Sequence, residues 1–326
     1  MPEVTMVGAI AMALARAMED DKRVIVLGED VAVNGGVFRA TEGLLARFGE
    51  DRVLDTPLAE TVIAGMSIGL AAQGFRPVAE FQFLGFMYPA LDQLICHGGR
   101  LRNRTRGRLS CPMVFRSPMG AGIRAPEHHS ESTEALFAHT PGIRVVIPSS
   151  PSRAYGLLLA SIADPDPVVF LEPTRLYRAQ KEEVADNGEP LPLDTSFVLR
   201  EGKDVTLVSW GPSIKETLLA ANTLAGEGVS AEVIDLATIS PMDVETILAS
   251  VEKTGRLVIV HEAPRNCGVG AEIAARVAER GLLSLQAPVA RVTSPDTIVP
   301  LARMENAYMP GEKQILEAVR GAVVYA

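Results

Sequence analysis

Two short segments of this 326-residue chain hold side chains suited to chemistry. The first is Asp55-Thr56-Pro57-Leu58-Ala59-Glu60, followed by TVIAGMSIGLAAQG. Pro57 suits the first turn of a helix, and a helix that is apolar nearly all round is expected to be buried. Glu60 then sits in the first turn, at the edge of a dry region. A desolvated carboxyl has its pKa raised and can share a proton with a bound ligand. The plainer alternative is an acid stabilised by the helix macrodipole, and acids are enriched in first turns. Spacing alone favours that plainer role.

The second segment is Glu127-His128-His129-Ser130-Glu131, just after Gly120-Ala121-Gly122. It holds two of the five histidines of the chain. An exposed surface loop is one reading, and a catalytic histidine on a loop held by strands is the other. A metal site lacks a further His or Cys cluster to complete it. Between the two segments lies VAEFQFLGF, residues 78–86, with Phe81, Phe83 and Phe86. Rings in a buried strand are mostly core, though one could stack on a flat cofactor ring. Nucleotide motifs fail. No Walker A loop occurs, Gly35-Gly36 is no phosphate loop, and Gly268-Val269-Gly270 is followed by Ile273 where the dinucleotide fingerprint needs Gly or Ala.

These residues must be carried by alternating elements. Short, β-branched apolar runs at 24–27, 78–83, 113–115, 145–147 and 168–171 predict strands buried on both faces. Helical patterns lie between them, as at 61–73 and 152–162. The alternation predicts α/β architecture with a mainly parallel sheet. Residues 173–194 hold Pro173, Asn187, Gly188, Pro190 and Pro192 and read as an interdomain linker. Strands at 204–210, 230–236 and 256–261 then alternate with helices at 212–227, 243–253 and 268–280. Two domains are expected, residues 1–185 and 186–326, a division that the length also favours.

Composition narrows the classes. With 40 acidic and 31 basic residues the net charge is −9, a poor balance for binding nucleic acid. The one basic run is Arg100, Arg102, Arg104, Arg106 and Arg108. It reads as a solvated edge or a partner contact, with no aromatic interleaved to stack on bases. Cys96, Cys111 and Cys267 form no CxxC pair, which suits a reducing, cytoplasmic location. The apolar run 6–15 is too short to span a bilayer and lacks the flanks of a signal peptide. It reads as a helix capped by Thr5.

Taken together, LGEDV (27–31), GGVFRATEGL (35–44), DRVLDTPLAE (51–60), RPVAEFQF (76–83), HSES (129–132), DPVVFLEPTRLYR (166–178), VEKTGR (251–256) and HEAPR (261–265) span nearly the whole chain. The chain resembles the beta subunits of the heterotetrameric pyruvate and branched-chain 2-oxoacid dehydrogenases. The resemblance implies a pyrimidine-binding transketolase-like domain and a transketolase C-terminal-like domain. It implies thiamine diphosphate as cofactor, with the diphosphate and magnesium held by an alpha subunit in an α2β2 heterotetramer. A GDG motif, which that subunit would carry, is absent here. A dihydrolipoyl acyltransferase core with its lipoyl domain would be the further partner.

The resemblance also distributes roles. Glu60 matches the carboxylate on the pyrimidine nitrogen, Phe86 the aromatic beside that ring, and Gln82 a pocket wall. His129 matches the histidine near substrate and lipoyl group. Glu29 and Asp92 match acids of a proton relay, Glu29 lying also at the cofactor; a third relay acid of some relatives falls at Pro89. Carbonyls near Cys111, Met113, Val114, Ser161, Asp164 and Asp166 match a structural potassium site. The reaction implied is oxidative decarboxylation of a 2-oxoacid, with acyl transfer to a protein-bound lipoyl group. Pyruvate is favoured, with branched-chain 2-oxoacid or acetoin dehydrogenase as alternatives. A non-catalytic assembly subunit is the rival of another class, and a nicotinamide oxidoreductase lacks its glycine fingerprint.

Overall fold

The computed structural model describes residues 1–325. Thr5 opens the first helix, Met6–Asp20, its side-chain oxygen accepting from the Gly8 amide. This satisfies one of the orphan donors of the first turn. A seven-stranded sheet forms the first half, in the spatial order Thr238–Ser240, Arg144–Val146, Val168–Pro173, Val114–Met119, Arg76–Glu80, Val24–Gly28 and Val53–Asp55. Its neighbours are parallel except at the Thr238–Ser240 edge, which is antiparallel. That edge strand comes from the second half of the chain. Helices pack on both faces, so the strands are mainly apolar, with a few buried charged residues among them.

The second sheet has the order Ala290–Ser294, Leu257–Pro264, Val205–Ser209, Ala231–Asp235 and Phe197–Arg200. It too is parallel except for one edge strand, Phe197–Arg200. The mainly parallel α/β reading therefore holds for both halves. Residues 173–194 are more ordered than a plain linker, because Lys181–Glu183 pairs antiparallel with Glu3–Thr5. The arginine run is a short helix, Leu101–Arg104, and its flanks rather than a strand edge. The strand expected over 78–83 ends at Glu80. Phe81 leaves the ladder after donating to the Arg116 carbonyl at 2.9 Å.

Gly268 and Gly270 also gain a structural reason. A Cβ on Gly270 would lie 2.6 Å from Nε2 of His261, so the glycine leaves room for that ring. The His261 ring in turn stacks on Trp210, with centroids 5.0 Å apart. Both rings are buried where the two halves meet, and the indole of Trp210 donates to Glu134 at 3.1 Å.

Candidate active site

Four adjacent strands end on one side of the first sheet, and the loops that leave them carry the candidate residues. Glu29 follows Val24–Gly28, Thr56 follows Val53–Asp55, and Gln82 and Phe86 follow Arg76–Glu80. The histidine loop follows Val114–Met119. Ligands of open α/β sheets bind at the carboxyl ends of strands in this way.

Glu60 is the first residue of helix Glu60–Ala72. The helix starts three residues later than Pro57 would suggest, with the Val62 amide donating to the Ala59 carbonyl at 2.9 Å. Asp55 holds the neighbouring turn, its carboxylate accepting from the Ala32 amide at 2.7 Å and the Val33 amide at 3.2 Å. The helix is not buried all round. Ile63, Ala64, Ser67 and Ala71 face the core, whereas Val62 is 48% and Met66 40% exposed. Leu58, just before it, is 80% exposed. Leu58, Val62 and Met66 thus leave apolar side chains exposed beside Glu60.

Glu29 is buried, and its Oε1 has no hydrogen-bond partner. Burial first, then the charges of Glu60 and Asp30, push its carboxyl above the usual range. Thr56 Oγ1 and His129 Nδ1 are likewise buried without partners. Native proteins rarely leave such atoms unsatisfied, and these three lie on the loops that leave the strand ends. Gln82 donates to Asp30 at 3.4 Å, which places it over the same rim.

His129 sits in the short turn Glu127–His129, packed edge-on against Phe83 at 4.4 Å and Phe86 at 5.1 Å between centroids. Phe81 alone of the three phenylalanines is core; Phe83 and Phe86 are half-buried and wall the site. Gly85 lets the turn approach, since a Cβ there would meet the His128 carbonyl at 2.3 Å. Tyr88 donates to Glu131 and anchors the far side of the turn.

Asp92 is exposed on helix Tyr88–Cys96, where Gln93 donates to it at 3.1 Å. That helix packs on Glu60–Ala72, with Thr61 donating to the Pro89 carbonyl at 3.1 Å. The suggested cation-site segments do meet, the Cys111 amide donating to the Pro165 carbonyl. Met113 and Val114 continue from Cys111 into the sheet, and the hydroxyl of Ser161 donates to the Leu157 carbonyl. The Asp164 carbonyl already accepts from the Arg76 guanidinium at 3.2 Å, and the Asp166 amide donates to the Asp164 carboxylate. Among the described residues no group of three or more His, Cys, Asp or Glu could hold a metal ion.

Sequence reasoning assigned no role to the buried cluster beneath the site. Arg116 is fully buried and donates to Glu172 at 2.7 and 3.0 Å and to Glu80 at 3.0 Å. Tyr177 donates to Glu172 at 2.6 Å. The three charged residues come from three neighbouring strands. A lone Glu80 inside the apolar run RPVAEF was the available signal.

Residues 2–180 match the transketolase pyrimidine binding domain, and residues 195–315 the transketolase C-terminal domain. The chain is 49% identical over 320 residues to the pyruvate dehydrogenase E1 component subunit beta of Bacillus subtilis, covering 98% of both chains. The same identity extends over all of both chains for the Staphylococcus epidermidis subunit of that name. The chain belongs to this pyruvate dehydrogenase E1 beta-subunit family. The family is the thiamine-diphosphate-dependent decarboxylase component, within the transketolase-like superfamily. A solved split-gene transketolase, described as an inactive beta4 tetramer, superposes with a TM-score of 0.82 over 99% of both chains. At 21% identity that likeness carries the fold alone. No helix among the described residues is long and apolar enough to cross a membrane.

Proposed function

We propose that the chain supplies the pyrimidine-binding half of an active site that decarboxylates pyruvate and passes the acetyl group to a protein-bound lipoyl group. The observation that carries this reading is the set of buried, unpartnered polar atoms, Glu29 Oε1, Thr56 Oγ1 and His129 Nδ1, at the strand ends beside Glu60. They suit a flat, polar heterocycle such as the aminopyrimidine of thiamine diphosphate. When bound, that cofactor supplies the carbanion chemistry. Glu60 would hold a proton toward the pyrimidine ring nitrogen. Gln82 and Phe86 would fix the ring's plane, and Phe83 would keep water out. His129 would present an imidazole nitrogen to the lipoyl group. Glu29 would hold a proton at the rim, and Asp92 would extend a relay through the packed helix.

Magnesium and the diphosphate are assigned to an alpha subunit in an α2β2 assembly. The bare apolar stripe of Leu58, Val62 and Met66 beside Glu60 supports a partner there. Potassium is assigned to the carbonyls of the 111–114 and 161–166 segments, in competition with Arg76. A lipoyl-bearing acyltransferase would be the acceptor.

The test is Glu60→Gln in a tetramer reconstituted with an alpha subunit, thiamine diphosphate and magnesium. Turnover should fall by about two orders of magnitude or more, as for loss of a group acting on proton transfer, with assembly intact. Near-normal turnover would return Glu60 to the role of a helix-end charge. A panel of 2-oxoacids on the same tetramer reads substrate choice, and a preference for branched-chain acids overturns pyruvate.

A further inference from the structure

The loop that carries His129 is held from outside its own half of the molecule. It is closed at its base by the Gly120 amide, which donates to the Glu131 carbonyl at 3.0 Å. The amides that follow have no acceptor within the loop. The Ala121 amide donates to Glu262 at 2.7 Å, and the Gly122 amide to Glu305 at 2.8 Å. The Arg124 amide donates to both oxygens of Glu305, at 3.2 and 3.1 Å. On the other limb, the Ser132 hydroxyl donates to Glu262 at 2.9 Å. Successive amides in a turn make a concavity that attracts an anion. Here the anions are two buried carboxylates from the second half of the chain, and they grip both limbs of the loop. Glu262 lies in strand Leu257–Pro264, the most rigid kind of support, and Glu305 opens helix Glu305–Tyr308. Arg175, bound by Glu216 at 2.7 and 3.0 Å, stands 3.7 Å from the other oxygen of Glu262.

We propose that Glu262 and Glu305 are positioning residues: the second domain, through them, sets where His129 stands over the strand ends. Side chains that reach a reacting group must be held within fractions of an ångström, and such precision comes from the residues behind them. The link to catalysis rests on the reading of His129 given above; the positioning itself does not.

The experiment uses the reconstituted tetramer with Glu262→Gln, Glu305→Gln, Ser132→Ala and, in parallel, His129→Ala. The glutamines keep the size of the side chain and one acceptor oxygen, but lose the negative charge and put an NH2 donor in place of the second oxygen. The first readout is the rate at which diethylpyrocarbonate modifies His129, followed by peptide mass spectrometry. The two glutamine variants should change that rate by about threefold or more, because a loop released from its anchors opens more often. An unchanged rate in both overturns the proposal. The second readout compares lipoyl acylation with decarboxylation measured by an artificial electron acceptor. Acylation should fall about tenfold or more with decarboxylation within about twofold. If the modification rate shifts while His129→Ala leaves acylation intact, the positioning stands and the role of His129 falls. Should Glu262→Gln fail to assemble, Ser132→Ala removes one limb's bond and leaves Glu262 in place; an unaltered His129 rate there and in Glu305→Gln counts against the proposal.

Discussion

At the scale of single residues, Arg116 is a fully buried cation. It is enclosed between Glu80 and Glu172 in the centre of the first sheet. Removing one partner of a buried ion cluster leaves the others uncompensated, at a cost of about 3–5 kcal/mol. Arg116→Met should therefore lower the unfolding free energy measured by urea denaturation by that amount, with the loss relieved in part when Glu80 is also made Gln. A neutral outcome would mean that the two carboxyls simply take up protons. Burial already pushes the Glu80 carboxyl above its usual range, with Arg116 opposing and Glu172 adding to the shift. Glu60, Gln82, Phe86 and His129 could be singled out only through the family resemblance of their segments, since spacing alone left Glu60 a helix-end acid. Glu262, Glu305 and the Arg116 cluster were not legible, because their partners lie 36 to 183 residues away in sequence. Charge inside an apolar strand names a burial problem, but not the partner that solves it.

At the scale of elements, helix Glu60–Ala72 separates what composition foretells from what it cannot. Its near-continuous apolar character predicts burial on every side, and the structure covers one side only. Composition counts surface to be hidden without saying which chain hides it. Met66→Glu should weaken association with the alpha subunit about tenfold or more, because a charge desolvated in an apolar contact is costly. Sedimentation of the assembly measures this. The thermal midpoint of the chain alone should move by only about 2 °C, the usual range for an exposed position. Equal association by variant and parent would place the partner elsewhere. Element positions were readable within a few residues, since β-branched runs and helical spacing decide them locally. Pro57, the 78–83 run and the 113–115 run, which extends to Met119, depart where the chain builds the strand ends, and short elements such as Val53–Asp55, Thr238–Ser240 and Tyr88–Cys96 carried no local signal.

At the scale of the whole molecule, the seam between the halves is a titratable device. Burial raises the Glu134 carboxyl to about 7 and the Asp235 carboxyl to about 6, and lowers the His261 imidazole to about 3. For an acid whose folded pKa is raised, the native state binds more protons between the two pKa values. Stability is then lost as pH rises, from about 4.5 to about 7 for Glu134. His261 works the other way, since only the unfolded chain takes its proton between about 3 and 6.5. Asp235 acts in the same sense as Glu134, so His261 offsets only part of the loss as pH rises. Glu134→Gln should gain stability relative to the parent as pH rises through that window, by an amount on the order of 3 kcal/mol at the limit. Thermal melts of both proteins at pH 4.5 and pH 7.5 check the sign. A pH-independent difference would show that Glu134 is ionised throughout.

The edge strand Thr238–Ser240 gives the order of chain synthesis a physical meaning. Ile147 donates to the Ala237 carbonyl at 2.7 Å, and Thr238 and Ser240 flank Val145 and Val146. A ribosome that has released everything up to the end of Val168–Pro173 has released a sheet with one long side unfinished. Unfinished sheet edges are templates for adhesion to other chains. The nascent first half must therefore wait, through some sixty further residues, for the segment that closes it. The boundary between the halves is thus a feature of the finished object more than of the way it is made.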